Sequence, residues 1–206
     1  MAFTPHPDGR ISTLPPSQAV SLLCHPAAIC PVPISIAVYV SLSPLGSLAL
    51  RYSVLGPLDL LSIPAALPPS FVDGLWGHTC FEVFVAVEGS PAYREFNFSP
   101  SGQWAAYAFR DYRERENFAM QEVAPQIAVT RLDDYLELNV VLAPALLPFV
   151  ASGKTLQLGL SAVIEATDGS RSYWALTHPA AQPDFHHPAA RRLTLAINNS
   201  LAQDHS

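Results

Sequence analysis

Residues 76–112 read WGHTCFEVFVAVEGSPAYREFNFSPSGQWAAYAFRDY, and this stretch decides the fold. It predicts three strands joined by two tight turns, because apolar and polar side chains alternate with the period of two that a strand imposes. Residues 99–102, Ser-Pro-Ser-Gly, fit a type I turn, in which proline presets φ at the second position and glycine takes the fourth. Three consecutive strands are therefore expected at the centre of the chain.

The first two of these strands each have one apolar face and one mixed face. Alternation places Glu82 opposite a row made of Phe81 and three valines. In the next strand it places Glu95 and Asn97 opposite Arg94. A sheet face that combines acids, an amide and aromatic rings is more typical of a ligand platform than of a solvated surface. A carboxylate buried at Glu82 needs a neighbouring-strand donor, a ligand hydroxyl or a raised pKa, so a ligand role and a structural role both stay open.

Composition limits the classes of protein to which this chain can belong. Of its 206 residues 50% are hydrophobic and 14% are charged, which favours a large core over disorder. The net charge is −6 and only 11 residues are Lys or Arg, so no nucleic-acid partner is expected. No run approaches the roughly 18 apolar residues that span a bilayer, so no membrane partner is expected either.

The first residues and the cysteines predict where the protein is found. Residues 1–21 lack a basic segment followed by an apolar one, which is the pattern of a secretory signal. The cysteines are Cys24, Cys30 and Cys80, an odd number, and reduced thiols are the simplest account of them. Cys24 and Cys30 are near enough in sequence to reach each other, so their thiol state stays open. A cytoplasmic protein is therefore predicted.

The rest of the chain predicts further short strands and almost no helix. Residues 1–33 are proline-rich with little periodicity, so the first strand is expected at residues 34–42. Further strands are expected at residues 47–55, 126–132, 135–142, 156–165, 171–176 and 192–197. One helix of a turn or two fits residues 143–150, between two prolines, and Thr-Asp-Gly-Ser at 167–170 predicts a hairpin turn. The sequence thus predicts an all-β, two-sheet antiparallel β-sandwich of about nine to eleven strands with at most one short helix.

One domain is expected, because no repeat period and no second composition regime appears. The predicted boundaries are an extended or mobile N-terminal extension at residues 1–22, a β-sandwich at residues 23–198 and a frayed tail at residues 199–206.

Three motifs resemble a known family. They are DGLWGHTCFEVF at residues 73–84, YREFNFSPSGQW at residues 93–104, and YWAL followed by HP and PDFHH within residues 173–187. Together they resemble the DOMON-like bacterial proteins, which are grouped with the family 9 carbohydrate-binding modules. The resemblance covers residues 23–198. It implies a β-sandwich that binds a ligand rather than catalysing a reaction, the ligands being sugars or, in some DOMON domains, haem.

The resemblance also implies a set of site residues. In the sugar-binding modules two tryptophans sandwich a terminal sugar, and Trp76, six residues before Glu82, resembles the first position while Trp174 resembles the second. Indole rings stack on the C–H faces of a sugar, and carboxylates and amides bind its hydroxyls. Arg171 stands where the family has an asparagine, and the acidic calcium-binding loops of some relatives are not found. The expected ligand is a small molecule, with a sugar as the leading candidate, and the expected ligand-binding residues are Trp76, His78, Glu82, Glu95, Asn97, Trp174 and His178.

Two alternatives to a sugar-binding module stay open. The segment His178–His187 carries side chains that could hold a metal ion and build a small enzyme, namely His178, Asp184 and His186. A structural or protein-interaction domain is the other alternative. Catalysis is not predicted, because the chain lacks a glycine-framed nucleophile, a phosphate loop and a nucleotide fingerprint. Glu82 and Glu95 would suit glycoside hydrolysis only if about 5–10 Å separated their carboxyl groups.

No cofactor is predicted. A metal ion is disfavoured because His186 and His187 are adjacent and point in opposite directions in an extended chain. Haem in DOMON relatives uses Met and His ligands. Met120 is the only methionine after Met1, and no histidine pairs with it by pattern.

Overall fold

The computed structural model describes residues 18–116, 123–151 and 153–196. The described strands, in chain order, are β1 Gln18–Cys24, β2 Ser35–Leu42, β3 Leu48–Leu55, β4 Cys80–Val87, β5 Tyr93–Phe98, β6 Trp104–Asp111, β7 Glu114–Glu116, β8 Gln126–Arg131, β9 Tyr135–Leu142, β10 Thr155–Glu165, β11 Arg171–Ala175 and β12 Leu193–Ala196. Helical structure in these residues is limited to single 3-10 turns at Leu58–Leu60, Leu75–Gly77, Pro144–Leu146 and Pro188–Ala190. No helix in the described part of the chain is long and apolar enough to cross a bilayer.

The strands form two sheets that meet at β1. The pocket sheet has the order β7-β6-β5-β4-β10-β11, with β12 also paired to β10, and the back sheet has the order β1-β2-β3-β9-β8. β1 pairs with β2 from Gln18 to Leu22 and then with β11 at Leu23 and Cys24, which joins the sheets along one side. The predicted antiparallel β-sandwich is confirmed.

The main core lies between the two sheets and follows from strand alternation. In the back sheet Val38 and Leu138 are fully buried, and they belong to one apolar cluster with Phe81 of β4 and Leu158 of β10. Burying each such side chain contributes roughly 1.5–3 kcal/mol, which drives the two sheets together. Tyr52 of β3 crosses the same interface, because its hydroxyl donates a 2.7 Å hydrogen bond to the Glu82 carbonyl oxygen.

Two elements differ from what the sequence predicts. The prediction that residues 1–33 form a strand-free lead-in is wrong at β1, Gln18–Cys24. Its apolar row is short, since it consists of Val20, Leu22 and Cys24 with only Leu22 buried, and it lies in a proline-rich stretch that otherwise lacks periodicity. The helix predicted within residues 143–150 is one 3-10 turn, Pro144–Leu146, because a second proline at 148 leaves no room for an α-helical turn.

Some predictions concern residues outside those described. They include the N-terminal extension up to residue 17 and the tail at residues 199–206, and Met120, which is not predicted to bind haem, also lies outside the described residues. The domain boundaries stay predictions, although β1 spans the boundary placed between residues 22 and 23.

Gly56, which follows β3, is the described glycine at which a side chain would be least tolerated. Its φ is +141°, and a Cβ there would lie 2.7 Å from the Pro33 carbonyl oxygen and 2.9 Å from Cγ2 of Ile34. We expect Gly56→Ala to lower the free energy of unfolding by about 2 kcal/mol, because backbone strain and overlap add. Urea unfolding followed by circular dichroism measures this loss. Gly169→Ala is the control and should cost about 1 kcal/mol, since φ is +84° but the space is open, and equal losses in the two variants would contradict the prediction.

Candidate functional site

The outer face of the pocket sheet is buried although it points away from the main core. Six of its side chains form a second apolar cluster, namely Phe84, Ala86, Tyr93, Ala105, Tyr107 and Phe109. Phe71 and Leu75, from the segment before β4, pack against this cluster together with Phe185, from the connection between β11 and β12. Two connections therefore cover the mixed face that the sequence predicts, and Glu82, Glu95 and Asn97 all lie buried on it.

A pocket of about 470 Å³ opens on this face, within the size range of small-molecule sites. Its aromatic lining consists of Trp76, Phe84, Phe109, Tyr173 and Phe185. Its charged and polar lining includes Glu82, Glu95, Arg113, Arg115, Arg171 and His186. Trp76 is 55% exposed, so its ring lies at the rim. The pocket thus combines ring surfaces with carboxyl and guanidinium groups.

Glu82 lies in the middle of β4 and is 3% exposed. In register it faces Asn97 on β5 and Ser161 on β10, and the Ser161 hydroxyl donates a 3.4 Å hydrogen bond to its Oε2. Burial, and then the neighbouring carboxyl of Glu95, raise the pKa of Glu82 well above its ordinary value of 4.5. In its protonated form this carboxyl can donate one hydrogen bond and accept others.

The side chain of Glu95, on β5, is held in its orientation by Asn97. The Asn97 amide Nδ2 donates a 2.7 Å hydrogen bond to Glu95 Oε1, and Asn97 itself is completely buried. Burial raises the pKa of Glu95 to about 7, although the hydrogen bond from Asn97 and the charges of Arg115 and Arg113 lower it. This carboxyl therefore gains or loses its charge near neutral pH.

His186 reaches the pocket from the connection after β11 and contacts Tyr93 and Glu95. The Arg113 backbone N–H donates to the Tyr93 hydroxyl at 3.1 Å, so the phenol is placed to donate to His186 Nδ1 at 2.8 Å. His186 Nε2 then carries the ring proton and lies 3.7 Å from Glu95 Oε2. Burial, followed by the charge of Arg113, lowers the pKa of His186 to about 4, so its ring is neutral at physiological pH.

Three guanidinium groups line the pocket. Arg113 forms an ion pair with Asp184 at 2.9 Å, and Arg115 lies 3.9 Å above the centre of the Tyr107 ring and 3.9 Å from Asp73 Oδ1. Arg171 donates a 3.1 Å hydrogen bond from Nη1 to the Gly77 carbonyl oxygen. The connections around β7 and β11 therefore bring positive charge to a pocket whose buried carboxyls favour their neutral form.

Three of the predicted ligand-binding residues, Trp76, Glu82 and Glu95, line the pocket together. Asn97 lies behind Glu95 and acts on it rather than on the open space. His78 is bonded to Glu165 at 2.8 Å and has a side chain that is 71% exposed outside the pocket lining. The strand alternation that placed Glu82, Glu95 and Asn97 on one face is thus what brings the predicted carboxyl groups together.

Trp174, predicted as the second sugar platform, lies on the opposite face of the sheet. It is 7% exposed in the main core, and its indole Nε1 donates a 3.0 Å hydrogen bond to the Ser172 hydroxyl. Tyr173, the preceding residue, lines the pocket instead. In the hairpin of β10 and β11, Trp174 pairs with Ala162, whose side chain belongs to the row that faces the main core. The turn at residues 167–170 sets this register, so it is the feature of the sequence from which the face of Trp174 could have been predicted.

His178 and the alternative metal set are also separated. His178 Nε2 donates a 2.7 Å hydrogen bond to the Leu23 carbonyl oxygen, and its ring lies edge-on to His25 at 4.5 Å between centroids. Asp184 is held by Arg113 and Tyr112, and His186 is held by Tyr93. Within the part of the chain that the structure describes, no three His, Cys, Asp or Glu side chains are grouped to hold a metal ion.

The pocket residues that sequence reasoning missed fall into two groups. Phe84, Phe109 and Tyr173 lie on strands, and alternation predicts that they share the outer face. Phe185 and the arginines at 113 and 115 lie on connections or at the short edge strand β7. No periodicity positions residues of the second group, so only the folded chain shows them.

Comparisons with known proteins identify solved structures with a similar fold. No family model and no curated protein matches the chain. A solved structure of a candidate carbohydrate-binding protein from Bacteroides uniformis matches with a TM-score of 0.65 and 17% identity, covering 84% of this chain and 83% of the other. A family 9 carbohydrate-binding module from Caldicellulosiruptor kristjanssonii, in complex with glucose, matches with a TM-score of 0.51 and 8% identity, covering 76% and 74%. At these identities the likeness shows a shared β-sandwich fold.

Proposed function

We propose that this protein is a non-catalytic carbohydrate-binding module of the DOMON-like and family 9 type, and that it binds a small sugar in the pocket. The observation that carries the proposal is the pairing of an exposed rim tryptophan, Trp76, with two buried carboxyl groups, Glu82 and Glu95, in one pocket. The fold shared with a module that was solved in complex with glucose supports the same conclusion.

The chemistry of the lining suits a sugar ring. Trp76 at the rim offers an indole face, and Tyr173 and Phe185, whose ring centroids lie 6.2 Å apart, form an aromatic wall. Such faces stack on the C–H surface of a sugar, while carboxyl groups bind hydroxyls at fixed positions. Because Asn97 orients Glu95 and Ser161 bonds to Glu82, the polar groups are held in place before a ligand arrives.

The state of the two carboxyl groups supports binding rather than glycoside hydrolysis. Hydrolysis needs one protonated acid and one ionised carboxylate that acts as base or nucleophile. Burial raises the pKa of Glu82 well above its ordinary value and that of Glu95 to about 7, so below neutral pH both groups favour their neutral form and the required carboxylate is disfavoured. These carboxyls are suited to hydrogen bonding with hydroxyls.

Replacing Trp76 with alanine tests the proposal. We expect the association constant for glucose or cellobiose to fall by about tenfold or more, because a stacking face worth about 1.4 kcal/mol is lost. Isothermal titration calorimetry is the suitable measurement, since the variant removes a fluorophore. The control is Leu45→Ala, which removes another exposed apolar side chain, 76% accessible, from the turn between β2 and β3.

The outcomes separate the proposal from its alternatives. Unchanged affinity in Trp76→Ala would remove the rim platform, and no saturable binding of mono- or disaccharides to the wild-type protein would end the sugar proposal. Products of glycoside hydrolysis in the same samples would instead favour an enzyme built on Glu82 and Glu95.

A further inference from the structure

We propose that the pocket selects an anionic sugar, a sugar acid or a sugar phosphate, and that Arg171 at the rim binds its negative group with Arg113 and Arg115 nearby. This inference rests on the proposed sugar-binding function and names the class of ligand. Guanidinium groups bind carboxylates and phosphates through paired hydrogen bonds, a chemistry that a neutral sugar does not need.

Arg171 is the guanidinium best placed to receive an anion. In the β10–β11 register it faces Glu165, but Glu165 is already bonded to His78 at 2.8 Å. Among the described residues no carboxylate lies within ion-pair distance of Arg171, and its hydrogen bond goes to the carbonyl oxygen of Gly77. That carbonyl follows Trp76, so the contact holds the guanidinium beside the rim platform and leaves donors for a ligand.

The acidic groups around the pocket do not cancel this charge. Asp184 is held by Arg113 and by the Tyr112 hydroxyl, and Asp73 accepts from the Tyr107 hydroxyl. Glu82 and Glu95 are buried, and burial raises the pKa of each. Glu165, Asp184 and Asp73 are therefore engaged by other side chains, and the two buried carboxyls favour their neutral form below neutral pH.

A fourth guanidinium, Arg191, adds to the positive field beneath the pocket. It is 8% exposed, it lies 4.9 Å from the centre of the Tyr93 ring, and its Nε has no hydrogen-bond partner among the described residues. After burial, the charges of Arg113, Arg191 and Arg115 also lower the pKa of His186, which faces the same space. The protein as a whole carries a net charge of −6, so this positive field is local to the site.

Calorimetry with glucose, glucuronate, methyl glucuronate ester and glucose 6-phosphate at pH 6.5 tests the inference. We expect glucuronate or glucose 6-phosphate to bind about tenfold or more tightly than glucose, and the ester to bind like glucose. Raising salt from about 20 mM to about 300 mM should weaken binding of the anions selectively, because their attraction is screened. The two anions distinguish a carboxylate from a phosphate as the preferred group.

Substitutions test whether Arg171 is responsible for the preference for anionic sugars. Arg171→Gln should bring the ratio of the glucuronate and glucose association constants close to one, and Arg171→Lys should restore part of it, since lysine keeps the charge but not the paired donors. Arg131→Gln, on the exposed strand β8 of the back sheet, is the control and should leave the ratio unchanged. Thermal melts confirm that all variants are folded.

The outcomes distinguish failure of this inference from failure of the proposed function. Saturable glucose binding with no preference for either anion would overturn the inference and leave sugar binding intact. An anion preference that survives Arg171→Gln would overturn the role of Arg171. Binding of none of the four ligands, and none of cellobiose, would overturn both proposals.

Discussion

Replacing Trp174 with alanine is expected to lower the free energy of unfolding by about 3–5 kcal/mol, the usual cost of removing a large aromatic side chain from a core. The indole is 7% exposed, packs in the cluster between the two sheets, and donates from Nε1 to the Ser172 hydroxyl. Truncation leaves a cavity at a strand paired on both sides, with Ala162 on β10 and Cys24 on β1. Urea unfolding of the wild type and the variant measures the loss.

Trp76→Ala is the matched control for this prediction. Because Trp76 is 55% exposed at the pocket rim, its removal should change the free energy of unfolding by no more than about 0.5 kcal/mol. If Trp174→Ala does not fold, Trp174→Phe keeps a ring in the core and should fold with a smaller loss. The Phe variant should also bind sugar as the wild type does. Similar stability losses for Trp76→Ala and Trp174→Ala would contradict the assignment of the two tryptophans to opposite faces.

Replacing Glu95 with glutamine is expected to stabilise the protein by about 3 kcal/mol at pH 8 and to have little effect at pH 4. The pKa of Glu95 rises from its ordinary 4.5 to about 7 in the fold. Between these values the folded chain binds a proton that the unfolded chain has released. The stability contribution of the protonated carboxyl is therefore complete below about pH 4.5 and is lost as the pH rises through 7. Glutamine keeps the acceptor for the Asn97 amide and cannot ionise.

His186 has the opposite effect on how the free energy of unfolding changes with pH. The wild type and the Glu95→Gln variant therefore have to be compared at each pH. The pKa of His186 falls from 6.5 to about 4 in the fold, so its contribution is lost as the pH falls through that interval. The pH profile of the wild type alone mixes the two groups. The difference between Glu95→Gln and the wild type at each pH cancels most of the contribution of His186 and isolates the carboxyl.

Glu137→Gln supplies a matched control on the back sheet. Asn139 Nδ2 donates to Glu137 Oε1 at 2.8 Å, the same two-residue spacing as Asn97 and Glu95. There the hydrogen bonds from Tyr135 and Asn139 lower the pKa of the carboxyl, so glutamine should not stabilise the protein at pH 8. Urea unfolding at pH 4 and pH 8 tests all three proteins. A Glu95→Gln variant that is no more stable than the wild type at pH 8 would show that Glu95 ionises without cost in the fold.

Much of the fold could be predicted because strand alternation is a local property. The apolar rows in β2, β3, β4 and β9 are visible in the sequence, and pairing them predicts a sandwich. β1 could not be predicted in this way. Its side chains are mostly exposed, and backbone hydrogen bonds to β2 and β11 hold it in place.

The candidate site also has a part that the sequence predicts and a part that it does not. The sequence by itself determined that Glu95 and Asn97 share one face of β5, because side chains alternate with a period of two. It placed Glu82 of β4 on the same side because the apolar rows of both strands must face the core. Only the tertiary structure decided that this face is a pocket. The connection that carries Phe185 and His186 folds over it, and its path depends on contacts with β5 and β6 that are distant in sequence.

The stretch at residues 76–112 thus supplies the floor of the site and its rim tryptophan. Tyr173 and Arg171, from the other end of the chain, supply much of the opposite wall. Their neighbour Trp174 shows the limit of local reasoning. Adjacent residues of β11 lie on opposite faces, Tyr173 in the pocket and Trp174 in the core. The pairing of β11 with β10 and β1 determines which of the two faces the core.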